Sequence, residues 1–326
     1  MGKSEHVVGQ ARPTVLVTGA SGFLGRRLTA TLAEAGYGVR AATRSSTVFP
    51  PGVERVQVPD FGSPIDWDSI LQGVRLVVHT AGLAHADSSG ISVDRFDRVN
   101  RIATQDLACA ASRTGVAHFV FISSVRAQTG ASAPRVLHEQ DAPHPTDRYG
   151  RSKLDAEMAV RAAGVPFTII RPVVIYGPEA KANIRLLIRL ASLPLPLPFA
   201  AFGNRRSILA IDNLVSAILF VLEHPATIGE TYLIADPDPV ALRDIFGMLR
   251  RARGRRPGLL NVPPALVRLA LTLLGHRTLW ERIGDDLVVD TSKFESLGWR
   301  PVVATYDGFA AMLRAPGEVA PGGASR

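Results

Sequence analysis

Cysteine is almost absent from this chain of 326 residues, which contains only Cys109. A single cysteine excludes a disulfide within the chain, so we expect a reducing compartment, the cytoplasm. Cys109 lies in the apolar stretch LACAA, which predicts an inert residue packed in a helix. The first residues, MGKSEHVVGQARP, lack the apolar segment of a signal peptide.

Long apolar runs are also missing. The longest, Pro263 to Gly275, is interrupted by Arg268 and is shorter than the roughly 20 residues that cross a bilayer. The formal net charge is +8, with one dense basic run, RRARGRRPG, at residues 250–258. No nucleic-acid motif surrounds that run, and we interpret it as a solvated helix end and loop. We therefore expect an anionic small substrate, no nucleic-acid or membrane partner, and no metal ligands.

A glycine-rich turn near the start of the chain indicates a dinucleotide site. TVLVTG, residues 14–19, predicts a buried parallel strand, and GASGFLG then opens a helical pattern. Glycines spaced in this way allow a tight turn, a close approach to a pyrophosphate and close packing of helix on strand. We assign the turn to cofactor binding with these residues: Gly19, Ser21, Gly22, Phe23, Leu24 and Gly25.

The end of the second predicted strand, Tyr37 to Arg44, bears on which cofactor is bound. NAD enzymes of this type carry an acidic residue there for the ribose hydroxyls, whereas this chain has Thr43 followed by Arg44. A guanidinium can pair with the 2′-phosphate of NADP(H), which we favour, while NAD(H) stays possible. The alternative is that Arg44 merely stacks on the adenine.

Further strands and helices alternate as in β-α-β units, which predicts an α/β fold with a Rossmann-type doubly wound parallel sheet. Strand ends would bring Asp60 and Phe61 to the adenine, Ala81 and Gly82 close to the cofactor, and the hydroxyls of residues 123 and 124 into the crevice. A helix from Arg95 to Gly115 is expected. We predict a dinucleotide-binding domain over residues 13–177 and a smaller C-terminal α+β substrate-binding lid over 178–314, from which some strands can return to the sheet. Residues 1–12 and 315–326 are predicted to be flexible tails.

Tyr149 and Lys153 stand four residues apart in TDRYGRSKLDAE, residues 146–157, where a helix begins. Side chains at i and i+4 share a helix face. The ammonium favours the phenolate, so we expect the pKa of Tyr149 to be lowered from about 10. Such a pair exchanges a proton with an alcohol or carbonyl while a cofactor moves hydride. A surface tyrosine beside a solvated lysine is the alternative.

Several segments together carry a family resemblance: TGASGFLG at 18–25, ISS at 122–124, YGRSK at 149–153, IIRPVVIYGP at 169–178, RRSILAIDNL at 205–214 and LGWRP at 297–301. Over about residues 13–312 the chain resembles extended short-chain dehydrogenases/reductases of the nucleotide-sugar epimerase/dehydratase type. Within that family it is most similar to bacterial sugar-nucleotide 4-epimerases and 4-keto reductases of surface-polysaccharide synthesis.

The resemblance implies catalytic roles for three residues. Tyr149 is the acid/base, Lys153 poises it and bonds the nicotinamide ribose, and Ser124 bonds the reacting sugar oxygen. Ser123 is the alternative to Ser124. Two departures from the family pattern follow the serine: the usual V-Y-G run is replaced by SVRAQTG, and the acidic pair of dehydratases is missing. Dehydration is therefore disfavoured.

Binding roles are also implied by the resemblance. Pro172 and the backbone through Val174 flank the nicotinamide, and Asn100 supports the cofactor pocket or is an ordinary polar residue of a helix. The cofactor set thus includes Asn100, Ser123, Tyr149, Lys153, Pro172 and Val174. Asn183 and Arg206 match positions that bind the nucleotide diphosphate. Weaker candidates are Arg205 and Arg282, and Asp212 is expected to be a helix N-cap.

The resulting hypothesis is an NAD(P)-dependent nucleotide-sugar 4-epimerase acting on a UDP-linked hexose. The alternative is an NADPH-dependent 4-keto nucleotide-sugar reductase, which Arg44 favours. Another alcohol or ketone dehydrogenase, and a non-catalytic NADP-binding regulator, are ranked below, the latter because Tyr149 and Lys153 are both present. By family analogy we expect a homodimer formed through the helices that carry Tyr149 and Cys109.

Overall fold

The structure is a computed structural model, and it describes residues 12–83, 93–178, 183–275, 280 and 284–313, without the side chains of 93 and 183–185. A seven-stranded sheet dominates the fold, with strand order β10-β6-β5-β4-β1-β2-β3. Its members are β1 (Arg12–Thr18), β2 (Tyr37–Thr43), β3 (Val53–Gln57), β4 (Leu76–His79), β5 (His118–Ile122), β6 (Phe167–Pro172) and β10 (Thr231–Ile234). The predicted Rossmann-type parallel sheet is confirmed.

The strand order reverses between β1 and β4. Strand β1 pairs in parallel with β2 on one side and with β4 on the other, with Val17 beside both Ala41 and Val78. Open α/β sheets bind ligands at such a switch point, outside the carboxyl ends of the strands. The glycine turn directly follows β1, so the topology places it at the predicted cofactor edge.

Apolar side chains from the sheet and its helices form a large core cluster. Helix α1 (Phe23–Glu34) follows β1, α2 (Trp67–Ile70) follows β3, and α4 (Ala103–Arg113) and α5 (Arg148–Ala162) flank β5. Leu16, Val77 and Phe119 of the strands belong to the same cluster as Leu107 of α4 and Ala156 of α5. Strands buried in this way read as continuous apolar runs, which is why their positions were predictable.

The remaining elements are shorter. Strand β7 (Val174–Tyr176) pairs in parallel with β9 (Ile208–Ala210), and β8 (Arg205–Arg206) pairs antiparallel with β11 (Val240–Ala241). The helices here are α6 (Asn183–Ser192), α7 (Ile211–Glu223), α8 (Leu242–Arg251), α9 (Pro264–Leu273), α10 (Ser292–Glu295) and α11 (Thr305–Ala311). Throughout the described ranges, no helix has the length and apolarity needed to span a membrane.

Four details differ from the sequence-based expectations. The apolar run over residues 165–178, which hydropathy alone predicts to be a single strand, is split at Val173 between β6 and β7, which lie in different sheets. The predicted helix from Arg95 consists of α3 (Val93–Phe96), a π-helical turn (Asp97–Ile102) and α4. Asp212 lies in the first turn of α7 and not before it. Arg12 already belongs to β1, while the rest of the predicted tails, 1–11 and 315–326, lies outside the described residues.

The chain forms two compact units, neither of them contiguous. One comprises Met1–Gln128, Pro143–Arg171 and Ala217–Thr231, and the other Thr129–Ala142, Pro172–Ser216 and Tyr232–Arg326. Strand β10 joins the main sheet although it follows residue 178. The simple division into residues 13–177 and 178–314 stays a prediction.

Candidate active site

The turn after β1 is shaped by its glycines. Gly19 has φ +68°, a left-handed conformation that favours glycine, and its carbonyl accepts the amide of Gly22 at 2.9 Å. A Cβ added at Gly25 would lie 2.2 Å from the carbonyl oxygen of Gly19, so only glycine lets α1 pack this closely. The turn therefore has the backbone geometry that a pyrophosphate requires.

A cavity of about 200 Å³ opens beside this turn. Eight of the predicted cofactor residues line it: Gly19, Ser21, Gly22, Arg44, Asp60, Phe61, Ala81 and Gly82. Ala42, Thr43, Thr80, Leu83 and Val99 complete the lining. Because these residues come from the ends of β1, β2 and β4 and from the loops beyond them, the cavity lies where the switch point predicts a ligand. The other three residues assigned from the turn belong to α1, which begins at Phe23 and in which Leu24 and Gly25 are buried.

Arg44 forms an ion pair within this cavity. Its Nη1 atom donates to Asp60 Oδ2 at 2.6 Å, and Nη2 of Arg95 lies 3.5 Å from the same oxygen. The other carboxylate oxygen of Asp60 accepts the amide of Gly62 at 2.9 Å. That amide and Arg44 lower the pKa of Asp60, against a raising effect of burial. Two guanidinium groups thus approach the same carboxylate at this side of the cavity.

Lys153 is buried on α5 and reaches the far end of the cavity. Its Nζ atom donates to the carbonyl of Ile122 at 2.9 Å, and a Cβ added at Gly82 would lie 3.3 Å from that nitrogen. Burial lowers the pKa of Lys153 to about 8, while the negative charge of Glu157 opposes the decrease. Its ammonium is therefore held beside a lining residue of the cavity in a site where protonation is sensitive to nearby charge.

The hydroxyl of Ser124 is close enough to Tyr149 to lower its pKa. Ser124 follows β5 and caps a 3₁₀ turn, Val125–Ala127, by accepting the amide of Arg126 at 3.1 Å. Tyr149 lies in the first turn of α5, whose N-cap is Asp147. A Cβ added at Gly150 would lie 2.2 Å from the carbonyl oxygen of Arg126. Gly150, to which the sequence reasoning gave no role, therefore permits the close approach that brings the two hydroxyls together.

The pKa of Tyr149 is raised in the structure, whereas the sequence predicted that it would be lowered. Burial raises this pKa above its usual value of 10, the hydroxyl of Ser124 and the charge of Arg126 oppose the rise, and Asp147 adds to it. The ammonium of Lys153 is directed instead to the carbonyl of Ile122 and to the face of the Phe121 ring, 4.7 Å from its centroid. Sequence spacing established the shared helix face but not the dielectric environment.

A buried ionic network behind the site was also missed from the sequence. Arg171 at the end of β6 forms a two-point ion pair with Glu157, at 2.9 and 2.6 Å, and bonds Gln128 Oε1 at 3.0 Å. The hydroxyl of Ser123 donates to Glu157 at 2.5 Å. The hydroxyl of Ser123 is thus engaged by Glu157, and Ser124 is the one of the two serines that affects the pKa of Tyr149. Glu157 follows Lys153 by four residues, a spacing that could have signalled a shared helix face.

Asn100 joins the loop after β4 to α5. Its Oδ1 atom accepts the amide of Leu83 at 2.7 Å, and its Nδ2 atom donates to the Leu83 carbonyl and to Ser152 Oγ. The side chain is buried in the π-helical turn. These contacts hold the loop containing Ala81 and Gly82, which fits the supporting role predicted for Asn100.

Other predicted site residues lie elsewhere in the chain. Pro172 ends β6 and Val174 begins β7. Arg206 donates to the backbone carbonyls of Asp285 and Ala131, at 2.7 and 2.8 Å, so much of its guanidinium holds loops together. Arg205 is exposed. The side chain of Asn183 and the whole of Arg282 lie outside the described residues.

Comparisons with known proteins agree with this geometry. The model of the NAD dependent epimerase/dehydratase family matches residues 15–235. The chain belongs to this family. It is thus an NAD(P)-dependent epimerase/oxidoreductase of the extended short-chain dehydrogenase/reductase type, as the sequence predicted.

Two curated relatives and one solved structure are similar to most of this chain. A UDP-glucose 4-epimerase of Vibrio cholerae is 32% identical over 306 residues, which cover 91% of this chain and 93% of the relative. The N-acetyl-alpha-D-glucosaminyl-diphospho-ditrans,octacis-undecaprenol 4-epimerase of Escherichia coli O157:H7 is 28% identical, over 76% of this chain and 75% of its own. Among solved structures, MoeE5 in complex with UDP-glucose and NAD is 25% identical with a TM-score of 0.73, covering 92% of this chain and 97% of that one.

Proposed function

We propose that the protein is a nucleotide-sugar 4-epimerase that uses bound NAD(P) to oxidise C4 of the sugar and reduce it again. One observation carries the proposal: Lys153, on the same helix as Tyr149, has its ammonium beside Gly82 in the wall of the glycine-lined cavity, and the hydroxyl of Ser124 is close enough to Tyr149 to lower its pKa. A proton-transfer pair thus stands next to a cavity suited to a dinucleotide.

The lining of that cavity fits NAD(P). Gly19 and Gly22 leave room where a pyrophosphate approaches, and Asp60 and Phe61 suit the adenine end. Lys153 is placed to bond the nicotinamide ribose, and Pro172 and Val174 are assigned to the nicotinamide by family resemblance. When bound, the cofactor supplies an acceptor for the C4 hydride and later a donor for it.

The chain's own groups handle the proton. Tyr149 takes the proton of the sugar O4 hydroxyl as C4 is oxidised, and it returns a proton as the opposite face of the keto sugar is reduced. Ser124 bonds the same oxygen and stabilises the charge that develops on it. The hydroxyl of Ser124 and the charge of Arg126 favour the phenolate of Tyr149 against the effect of burial, and they therefore assist the first of these transfers.

A UDP-linked hexose is the substrate that we propose. The Vibrio cholerae relative is named a UDP-glucose 4-epimerase, and MoeE5 was solved with UDP-glucose. Asn183 and Arg206 are assigned to the diphosphate by resemblance.

A 4-keto reductase is the second candidate, and Arg44 is the observation in its favour. No carboxylate occupies the end of β2, and the guanidinium of Arg44 lines the cavity, where it would attract a 2′-phosphate. NADP(H) is therefore the cofactor that we favour. A reductase uses NADPH once per turnover and must release it, whereas an epimerase regenerates its cofactor in place.

One experiment separates the two. Purified protein is incubated with UDP-glucose or UDP-N-acetylglucosamine without added cofactor, and C4 epimers are measured by NMR. Epimers indicate an epimerase, whereas consumption of NADPH only with a 4-keto nucleotide sugar indicates a reductase. Tyr149→Phe is expected to lower the rate about 10²- to 10⁴-fold, while Tyr306→Phe, at an exposed tyrosine, serves as the matched control. Equal rates in the two variants would contradict the proposal.

We also propose a homodimer built on α4 and α5. These helices pack against each other, and Met158 of α5 is 60% exposed, an apolar side chain suited to a partner surface. Light scattering after size exclusion would measure the mass. A monomer at micromolar concentration would refute this arrangement.

A further inference from the structure

Helix α9 is apolar and exposed at the same time. Its sequence is PALVRLALTL, and none of its ten residues is buried. Leu266, Leu269 and Leu273, which lie along one side at helical spacing, are 57%, 54% and 78% exposed, and Leu274 follows at 70%. A helix this apolar is normally covered by a protein core or by lipid. Its exposed leucines indicate a surface that binds something apolar.

The charge around α9 is strongly positive. Residues 250–275 contain six arginines and no aspartate or glutamate. Residues 250–282 contain eight arginines and one glutamate, a net +7 within a chain of +8. Nearly all the net charge therefore belongs to the segment that carries the exposed leucines.

The arginines of this segment differ in burial and in their contacts. Arg250 is buried, and its guanidinium donates to the carbonyls of Ala191, Leu193, Leu195, Pro257 and Gly258. By contrast, Arg251, Arg256 and Arg268 are exposed, and so is Arg255, which also donates to the Ser192 carbonyl at 2.7 Å. Arg268 lies on α9 itself, 5.9 Å from the Trp280 ring centroid. Positive charge is thus available on and beside the apolar helix.

We propose that α9 and the arginine segment before it, residues 251–256, dock on an anionic lipid surface. An apolar helix face enters the boundary between headgroups and acyl chains, while nearby arginines remain among the phosphates. The charge decides against a second copy of this chain, because two such faces would bring together like charges that no carboxylate in 250–275 offsets. This proposal revises the expectation of no membrane partner, since the longest apolar run is too short to span a bilayer but long enough to lie in its surface.

Vesicle sedimentation tests the proposal with the full chain. We expect binding to phosphatidylcholine vesicles that contain phosphatidylglycerol, little binding to pure phosphatidylcholine, and weakening by salt. Leu269→Ser with Leu273→Ser should lower the partition coefficient at least about tenfold, since each leucine loses its burial in lipid. Arg251→Glu with Arg256→Glu should lower it by about 10³-fold, because each replacement changes the charge by two and each unit of charge contributes about 1 kcal/mol.

Controls make the outcome decisive. Val302→Ser replaces an apolar side chain that is 64% exposed in the same unit, and binding should be unchanged. Absence of binding to anionic vesicles, or equal binding to neutral ones, would overturn the proposal. Unchanged vesicle binding of the double leucine variant would also overturn the proposal. A change in its oligomeric mass without a change in vesicle binding would do the same. Turnover of a soluble nucleotide sugar should be unaffected in these variants, so failure here is distinct from failure of the proposed epimerase activity.

Discussion

Glu157→Gln is the change that most directly tests how the site is held. The Glu157 and Arg171 side chains are 1% and 6% exposed, and they form a two-point ion pair at 2.9 and 2.6 Å. Glutamine keeps the shape but removes the charge, which leaves a buried guanidinium without its counterion. Removing one partner of such a pair costs about 3–5 kcal/mol. We expect a decrease of that size in the free energy of unfolding, measured by urea denaturation followed by circular dichroism.

The same change should alter the pH dependence of turnover. Burial holds the pKa of Lys153 at about 8, and Glu157 is the charge that opposes a further decrease. His79, which also lies near Lys153, has its pKa lowered by burial to about 3 and is neutral in this range. In Glu157→Gln the pKa of Lys153 should therefore fall below 8. Loss of activity on the alkaline side, where the ammonium deprotonates, should begin at lower pH than in the wild type.

Two further variants make the interpretation specific. Asp155→Asn removes an exposed carboxylate from the same helix and should change neither stability nor the pH profile. Glu157→Gln combined with Arg171→Met removes both charges, so it should be less destabilised than the sum of the single changes. If Glu157→Gln unfolds within about 1 kcal/mol of the wild type and its alkaline limb does not move, the reasoning about this pair is wrong.

Three other outcomes are expected. Gly150→Ala, whose new Cβ meets a backbone carbonyl at 2.2 Å, should displace Tyr149 by about 1 Å and lower kcat about 100-fold, with circular dichroism unchanged. Arg44→Ala should weaken NADP(H) binding in calorimetry about 10- to 100-fold and leave NAD(H) binding unchanged, whereas the exposed Arg55→Ala should do neither. Asp236→Asn disrupts a buried carboxylate that accepts from the Tyr176 hydroxyl, and a loss of about 2 kcal/mol is expected in thermal unfolding. An unchanged midpoint would count against that last assignment.

The cofactor side of the site was predictable because its signals are local. Glycine spacing reports a backbone conformation, and Gly19 does adopt a positive φ. The apolar runs of the sequence predicted where the strands end. Ala81 and Gly82 could therefore be assigned to the cofactor site without knowledge of packing. The parallel topology then brings those ends to one edge of the sheet.

Long-range environment was not predictable in the same way. The Glu157 network joins α5, β5 and β6, and no short spacing in the sequence predicts such a convergence. The pKa of Tyr149 depends on burial, which spacing does not report, so its predicted direction was wrong. The run around Val173 is apolar on both sides, and hydropathy alone did not show that the chain changes sheets there.

The buried guanidinium of Arg250 has a consequence for the LPLPLP stretch beside it. Pro194 and Pro196 have no amide hydrogen, so that segment is poorly suited to a regular hydrogen-bond ladder. Arg250 offers its own N–H groups to the intervening carbonyls of Leu193 and Leu195, and to Pro257 and Gly258 across from them. Backbone bonds join the two segments around Leu197, whose amide donates to the Gly258 carbonyl at 3.0 Å and whose carbonyl accepts the Leu260 amide at 2.8 Å. One side chain thereby adds a second connection between these two proline-containing segments. Lysine could not take its place, because a single ammonium has three donors and no planar fork.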